Sequence, residues 1–326
     1  MVVITGVSGL VGGNLARALL RQGRRVRGLV HQDRRAVEGL EMELVHADVG
    51  EPASLERALN GAEVVYHLAA SISLEMDSWE EEEAVNIQGT RNVVEACLRC
   101  GVQRLVHFSS IQSLEQEPLD APLDESRPRI TPSKKHPPYD LSKAAAEEEV
   151  RAGIGRGLDA IILIPTAIVG PYDYSPSYFG SAIIALFRGR IPALVAGGFD
   201  WVDVRDVIEA ALRAEKDAPG GTTYILSGHW HSVREVANMV ADLTGTRAPR
   251  LSVPIGLAYL AAPAMTMLSR FNGSRPLYTR VTLNALRSNR QISHALATRE
   301  LGYQPRSFRE TLADTLEWFA RHGYLD

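Results

Sequence analysis

Cysteine is nearly absent: only Cys97 and Cys100 occur in 326 residues, too few for a secreted disulfide framework. The chain also opens directly on an apolar strand pattern, with no basic leader or signal-type segment, so a reducing, cytoplasmic location is the expectation. Charge of one sign is lacking as well. With 35 basic against 39 acidic residues, a net charge of -4 spread along the sequence leaves no electrostatic footprint for nucleic acid. No long uninterrupted hydrophobic run is present. The most apolar late stretch, Leu251 to Leu268, is broken by Ser252, Pro254, Pro263 and Thr266, which argues against a transmembrane segment. It reads as a helix packed on a lobe or over the site, with contact at a membrane surface as the alternative. Internal repeats and low-complexity segments are absent, and aromatic residues make up 6% of the chain.

What is present is alternation. Short β-branched runs at Val2–Thr5, Arg25–Val30, Glu43–His46, Val64–Leu68, Arg104–Phe108 and Ala160–Ile164 read as strands. Between them, Gly12–Arg21, Pro52–Leu59, Asn86–Cys100 and Leu141–Arg151 have the length of crossover helices. The expectation is an α/β fold with a doubly wound parallel sheet and a smaller C-terminal substrate-binding lobe. Residues 1–165 form the sheet domain and 201–227 return to it. Residues 166–200 and 228–298 form the smaller lobe, facing the carboxyl ends of the strands where ligands bind in such sheets, and 299–326 close the chain as a helical segment.

The first strand runs into Gly6-Val7-Ser8-Gly9-Leu10-Val11-Gly12 and then a helix. Glycines at such a junction permit a tight turn, let backbone N–H groups approach a pyrophosphate, and pack the helix on the sheet. This points to a dinucleotide. The second strand ends Val30-His31-Gln32-Asp33-Arg34-Arg35, with no acid at its earliest positions. His31, Arg34 and Arg35 would face a 2′-phosphate, which favours NADP(H). Asp33 keeps NAD(H) open, and solvated surface arginines are the bland alternative.

Tyr139 and Lys143 stand one turn apart on a helix that follows a proline-rich loop. An ammonium beside a phenol favours the phenolate, making the tyrosine a usable acid/base. A tyrosine four residues before a lysine is common on helix surfaces. Here the pair follows a fifth strand ending in Ser109-Ser110, which gives it weight.

Together with Asp48-Val49, His67-Leu68-Ala69-Ala70, Asn86 with Gly89-Thr90, Pro165 to Pro171, Trp201 to Val207 and Arg299 to Pro305, these motifs follow the order found in extended short-chain dehydrogenase/reductases of the epimerase/dehydratase family, which the chain resembles over nearly its whole length. The resemblance implies a Rossmann domain and a nicotinamide cofactor. It implies that Tyr139 exchanges the proton on the substrate oxygen, that Lys143 holds the nicotinamide ribose, and that Ser110 hydrogen-bonds the same oxygen, with Ser109 and Ser113 near enough to take that role. Asp48 would accept from the adenine amino group or cap a helix. Ala69 and Ala70 would leave space for the cofactor, Asn86 would brace the adjacent strand end, and Leu68, Val49, Pro165, Ala167 and Ile168 would complete the cofactor site. Family analogy also implies a homodimer, through the helices carrying Tyr139 and Asn86.

Sugar-nucleotide members of the family place an asparagine and an arginine where this chain has Ala167 and Phe199. Losing the arginine removes the natural partner of a diphosphate. The pocket expected from Ser71, Ile72, Tyr172, Tyr174, Tyr178, Phe179, Phe199 and Trp201 is mainly apolar, resembling the dihydroflavonol-4-reductase-like and 3β-hydroxysteroid-dehydrogenase-like branches. Ordinary core is the other reading of each aromatic. The implied reaction is reversible reduction of a ketone on a small, mainly apolar molecule. The alternatives are a nucleotide-sugar epimerase anchored by Arg287 or Arg290, and a cofactor-binding sensor without chemistry. Cys97 and Cys100 have no second pair nearby and the nine histidines are scattered, so no metal is expected.

Overall fold

The computed structural model of the protein describes all residues except 32, 73–78, 134–135, 261 and 263–278. Six apolar runs become β1 (Val2–Thr5), β2 (Val26–Val30), β3 (Glu43–His46), β4 (Val64–His67), β5 (Arg104–Phe108) and β6 (Ala160–Pro165). Three short strands follow, β7 (Ala167–Val169), β8 (Ala193–Val195) and β9 (Gly198–Asp203), and then β10 (Thr223–Leu226), β11 (His229–Ser232) and β12 (Leu251–Val253). One seven-stranded sheet has the order β10-β6-β5-β4-β1-β2-β3, and all its pairings are parallel. The strand order reverses between β1 and β4, so a crevice opens beyond their carboxyl ends, where open α/β sheets take ligands.

Helices cover both faces, which is why β4 and β6 are buried at every position. Alternate strand residues feed two cores. Ile4 and Tyr66 meet α1 (Leu10–Arg21), through Leu15 and Leu19, on one face. Val3 and Val65 meet α2 (Pro52–Leu59), and α5 (Pro138–Gly155) supplies Val150, on the other. Between α2 and α5, α3 (Trp79–Glu82) passes through a π-helical stretch, Glu83–Gln88, into α4 (Gly89–Cys100). Such stretches recur at functional sites because the extra residue per turn re-aims a side chain. Here it buries Asn86.

The smaller sheets are β11-β9-β7 and β12-β8. They pack with α6 (Tyr178–Phe187) and α8 (Val233–Thr244) around a third core containing Ile183, Leu186, Trp201 and Val236. Two expectations change here. Residues 201–203, expected to return to the large sheet, instead pair with β7 and β11. The chain rejoins the large domain as α7 (Val204–Asp217), because the Asp203 carboxylate accepts from Arg205 N–H and starts a helix where the alternating Val and polar residues mimic a strand. The closing segment is also no separate unit: Ala297 and Leu301 join the large-sheet core, while Phe308, Leu312 and Leu316 of the last helix, Phe308–Arg321, complete the third core. Of the stretch from Leu251 to Leu268, 251–253 is strand and 255–260 helical, and Pro263 and Thr266 lie outside the described residues. Among the described residues no helix is long and apolar enough to cross a membrane.

Candidate active site

A cavity of about 930 Å³ runs along the carboxyl ends of the large sheet. It extends from His31 and Asp48, beyond β2 and β3, past the β1 turn to Ser110, Tyr139 and Lys143. The turn is built for close approach. Gly6 has φ +67°, and a Cβ there would lie 2.7 Å from the Ala69 nitrogen. A Cβ on Gly12 would lie 2.3 Å from the Gly6 oxygen. Thr5 Oγ1 accepts from the Leu68 and Ala69 N–H groups, each at 3.1 Å, and lies 2.8 Å from His67 Nδ1. The end of β4 is thus tied to the turn, and Ser8, Gly9, Leu10, Val11, Leu68, Ala69 and Ala70 all border the cavity. Burial, and then the charge of Lys143, hold the His67 imidazole down at about 3, so it is a neutral brace.

Beyond β3, Asp48 Oδ1 accepts from Gly50 N–H at 2.7 Å, a local turn rather than a cap of α2, whose N-cap is Glu51. Asp48 and Val49 border the cavity. Of the three basic candidates at the β2 tip only His31 does so, 4.0 Å from Asp48. Arg34 and Arg35 are exposed and outside the lining, and Arg35 closes on Asp33 at 2.7 Å, holding that carboxyl below its ordinary range. Gln32 lies outside the described residues. Asn86 is outside the lining too. It clamps the Ser71 backbone, accepting from its N–H at 2.8 Å and donating to its carbonyl at 3.0 Å, and donates to Ser142 Oγ and Glu82.

At the other end of the cavity, Pro138 opens α5, since its fixed φ and missing N–H suit a first helical turn. Tyr139 and Lys143 therefore face one wall. The Tyr139 phenol is pushed up to about 12 by burial, against which its hydrogen bond with the Ser110 side chain works. The Lys143 ammonium donates to the Phe108 carbonyl at 2.7 Å. Burial pushes it down to about 8, and the carboxylates of Glu147 and Glu82 oppose that fall. The three serines differ in what each touches. Ser109 and Ser113 both donate to the fully buried Glu147, whereas Ser110 meets Tyr139.

Pro165, Ala167 and Ile168 border the same cavity, with Ser71, Ile72, Tyr178, Phe179 and Phe199 beyond them. Trp201 lines only a small annex of about 50 Å³, which shares Phe179 and Phe199 with the main cavity. Tyr172 and Tyr174 correct the expectation: they lie in neither cavity. The Arg17 guanidinium sits 4.6 and 5.5 Å from their ring centres, and both pack on Trp318 of the last helix, where they find apolar cover. Four acids unmarked in the sequence analysis border the cavity or the helix of Tyr139 and Lys143. Asp140 is raised to about 7 by burial and then by Glu82. Asp173 and Asp200 are each raised to about 6 by burial, while Thr166 and Gly228 N–H hold Asp200. Glu147 is the fourth, and its signal was present, one further helical turn beyond Lys143.

Among the described lining residues the only basic side chains are His31 and Lys143. Arg287 is exposed and Arg290 stacks over Trp230 at 4.6 Å, both outside the lining. Cys97 is buried and its thiol pushed up by burial, and no group of three metal-ligating side chains occurs among the described residues.

With this site in view, the chain belongs to the NAD dependent epimerase/dehydratase family, whose profile matches residues 2–226. It is an NAD(P)-dependent enzyme within the extended short-chain dehydrogenase/reductases. It is 34% identical over 327 residues to the sterol demethylase protein B of Methylococcus capsulatus, covering 99% of each chain. A putative dihydroflavonol 4-reductase of Synechocystis sp. is 30% identical, covering 99% of this chain and 95% of the relative. Among solved structures, gox2253 matches with TM-score 0.87 and 34% identity, over 100% of this chain and 99% of the other. MoeE5 in complex with UDP-glucose and NAD matches with TM-score 0.77 and 26% identity, over 98% and 99%.

Proposed function

We propose that the protein is a dehydrogenase/reductase that interconverts a hydroxyl and a ketone on a mainly apolar, ring-bearing molecule. The observation that carries this reading is the juxtaposition of the Ser110–Tyr139 hydrogen bond and Lys143 with a cavity whose far end presents Phe179 and Phe199 and no arginine among the described residues. A diphosphate would arrive there without a guanidinium to meet it, and would face Asp173 and Asp200 instead. The names of the sterol- and flavonol-related relatives agree with such a substrate.

The residues present fit a nicotinamide dinucleotide. The β1 turn leaves no room for a Cβ at Gly6 or Gly12, which keeps backbone N–H groups open to a pyrophosphate, and the cavity reaches from the β2 and β3 tips to Lys143. Bound there, the cofactor supplies the hydride acceptor or donor. Asp48 would receive the adenine, Lys143 the nicotinamide ribose, and Ala69 and Ala70 the backbone. We favour NADP(H): His31 borders the cavity beyond β2, where the adenosine ribose would lie, and Asp33 is engaged by Arg35. The enzyme would act in the cytoplasm, as a homodimer through α4 and α5 in line with the family resemblance.

The chemistry of the chain's own groups follows. Ser110 donates to the substrate oxygen and fixes it beside Tyr139. Tyr139 gives up its proton to that oxygen as a ketone becomes an alcohol, or takes it in the reverse direction, and the Lys143 charge stabilises the phenolate left behind. The test is turnover of apolar cyclic ketones and alcohols, with NADPH and NADH binding followed by fluorescence. Tyr139→Phe should lower kcat by about 10²-fold or more with cofactor binding retained. Equal turnover in that variant would sink the assignment, and conversion of nucleotide sugars without net cofactor change would point to an epimerase.

A further inference from the structure

The buried carboxylate of Glu147 is unused by the chemistry above, yet it lies under the centre of it. Its helix carries Tyr139, Lys143 and Glu147 at four-residue intervals, so the three share a face. Glu147 has no exposure, and its Oε1 accepts from the hydroxyls of Ser109 and, at 2.6 Å, Ser113. Oε2 has no hydrogen-bond donor among the described residues and lies 3.8 Å from each of the Arg129 and Arg151 guanidinium groups. A carboxylate taken out of water needs such compensation. Replacing it by a neutral group would cost less, unless its charge serves a neighbour.

We propose that Glu147 is a positioning residue for the catalytic set: it fixes Ser109 and Ser113 on either side of Ser110, and its charge keeps the Lys143 ammonium beside Tyr139. The first half follows from direction. Two of the three hydroxyls after β5 are committed to one acceptor beneath α5, and the remaining one meets the phenol. The second half follows from what surrounds Lys143. From β4 and β5 it faces His67 and His107, both buried and neutral, which offer it no counter-charge. Its negative neighbours are Glu82 of α3 and Glu147 on its own helix, with Arg129 and Arg151 moderating Glu147 from the far side. The inference takes Lys143 in the role proposed above, but its main test needs no substrate.

The chain has only four lysines, Lys134, Lys135, Lys143 and Lys216, so ε-¹³C-lysine labelling gives a spectrum in which Lys143 is assigned by its loss in Lys143→Arg. In the cofactor-free protein, Glu147→Gln should move the Lys143 titration midpoint about one pH unit lower, the effect of removing one close opposite charge. Glu147→Asp keeps the charge and should return most of that difference. Arg151→Gln, altering a half-buried residue, should move the midpoint the other way, and serves if Glu147→Gln does not fold. With a substrate in hand, the alkaline limb of the kcat profile should follow the same order. An unmoved midpoint in both Glu147→Gln and Arg151→Gln would overturn the proposal. A Lys143 midpoint that moves in a protein without reductase activity would leave Glu147's role standing and discard the assigned reaction.

Discussion

His67 on β4 and His107 on β5 lie with ring centres 5.3 Å apart beneath α5, and both are fully buried. They differ in support. His67 is held by Thr5 and Thr90, at 2.8 and 2.9 Å, while both ring nitrogens of His107 lack partners among the described residues. Burial lowers both imidazoles, so the unfolded chain binds protons that the folded one refuses. Stability from this source is complete above about 6.5 and is lost as pH falls toward about 3 for His67. We expect denaturant unfolding to show about 2 kcal/mol lost between pH 7 and 5 on account of His67. The fall should be shallower in His107→Leu, which removes a titrating group and no hydrogen bond; an unchanged slope would show that His107 binds protons equally in the folded and unfolded states. At the β1 turn, Gly12→Ala drives a methyl to 2.3 Å from a backbone oxygen. Titration with NADPH should find binding reduced at least tenfold.

The π-helical stretch shows how an element, rather than a residue, builds the site. By shifting the helical register ahead of α4 it buries Asn86 against the strand end it must hold, with Ser142 of α5 on its other side. Four elements meet in that one amide: the segment after β4, α3 through Glu82, the stretch itself and α5. Asn86→Ala would strand the Ser71 N–H and carbonyl, at about 1–3 kcal/mol each where no water replaces the partner. The expected result is a lower melting temperature together with a raised KM for cofactor, and unchanged cofactor affinity would deny the stretch any role in the site. The acids of α3 stand in a first helical turn, where carboxylates are favourable and ordinarily solvated. Glu82 is instead fully buried and bonded to Asn86, because the helix packs on α5 rather than facing water.

At the scale of the molecule, the two halves of the cavity, proposed above for cofactor and substrate, rest on different cores. The large sheet carries the first. The second depends on the small sheets and on a helix from the far end of the chain, whose Phe308 lies against Trp201 and His231 at 5.1 and 5.2 Å. Removing that ring should cost about 3–5 kcal/mol. Since Phe179 and Phe199 pack on Trp201 in turn, Phe308→Ala should raise the KM for an apolar substrate while NADPH affinity, measured by fluorescence, stays within about twofold. Equal loss of both would mean that the two halves share one cooperative core.

The sequence by itself determined the alternating architecture, the glycine turn and the Tyr139–Lys143 pair, because each rests on local physics: a period of two or 3.6 residues, a turn without Cβ atoms, one helical turn between two side chains. It also carried the loss of an arginine at the position of Phe199, but only the structure showed that neither Arg287 nor Arg290 takes its place in the cavity lining. Only the tertiary structure decided which serine meets Tyr139, for three hydroxyls within five residues differ solely in what lies above them. Tertiary packing also drew Tyr172 and Tyr174 away to Arg17 and Trp318, paired Trp201 with the small sheet, and buried Glu82 and Glu147 near Lys143. Burial and partner choice depend on chain segments brought together from far apart, and the desolvation that moves a carboxyl or an ammonium is a property of that assembled surrounding rather than of the residue's neighbours in sequence.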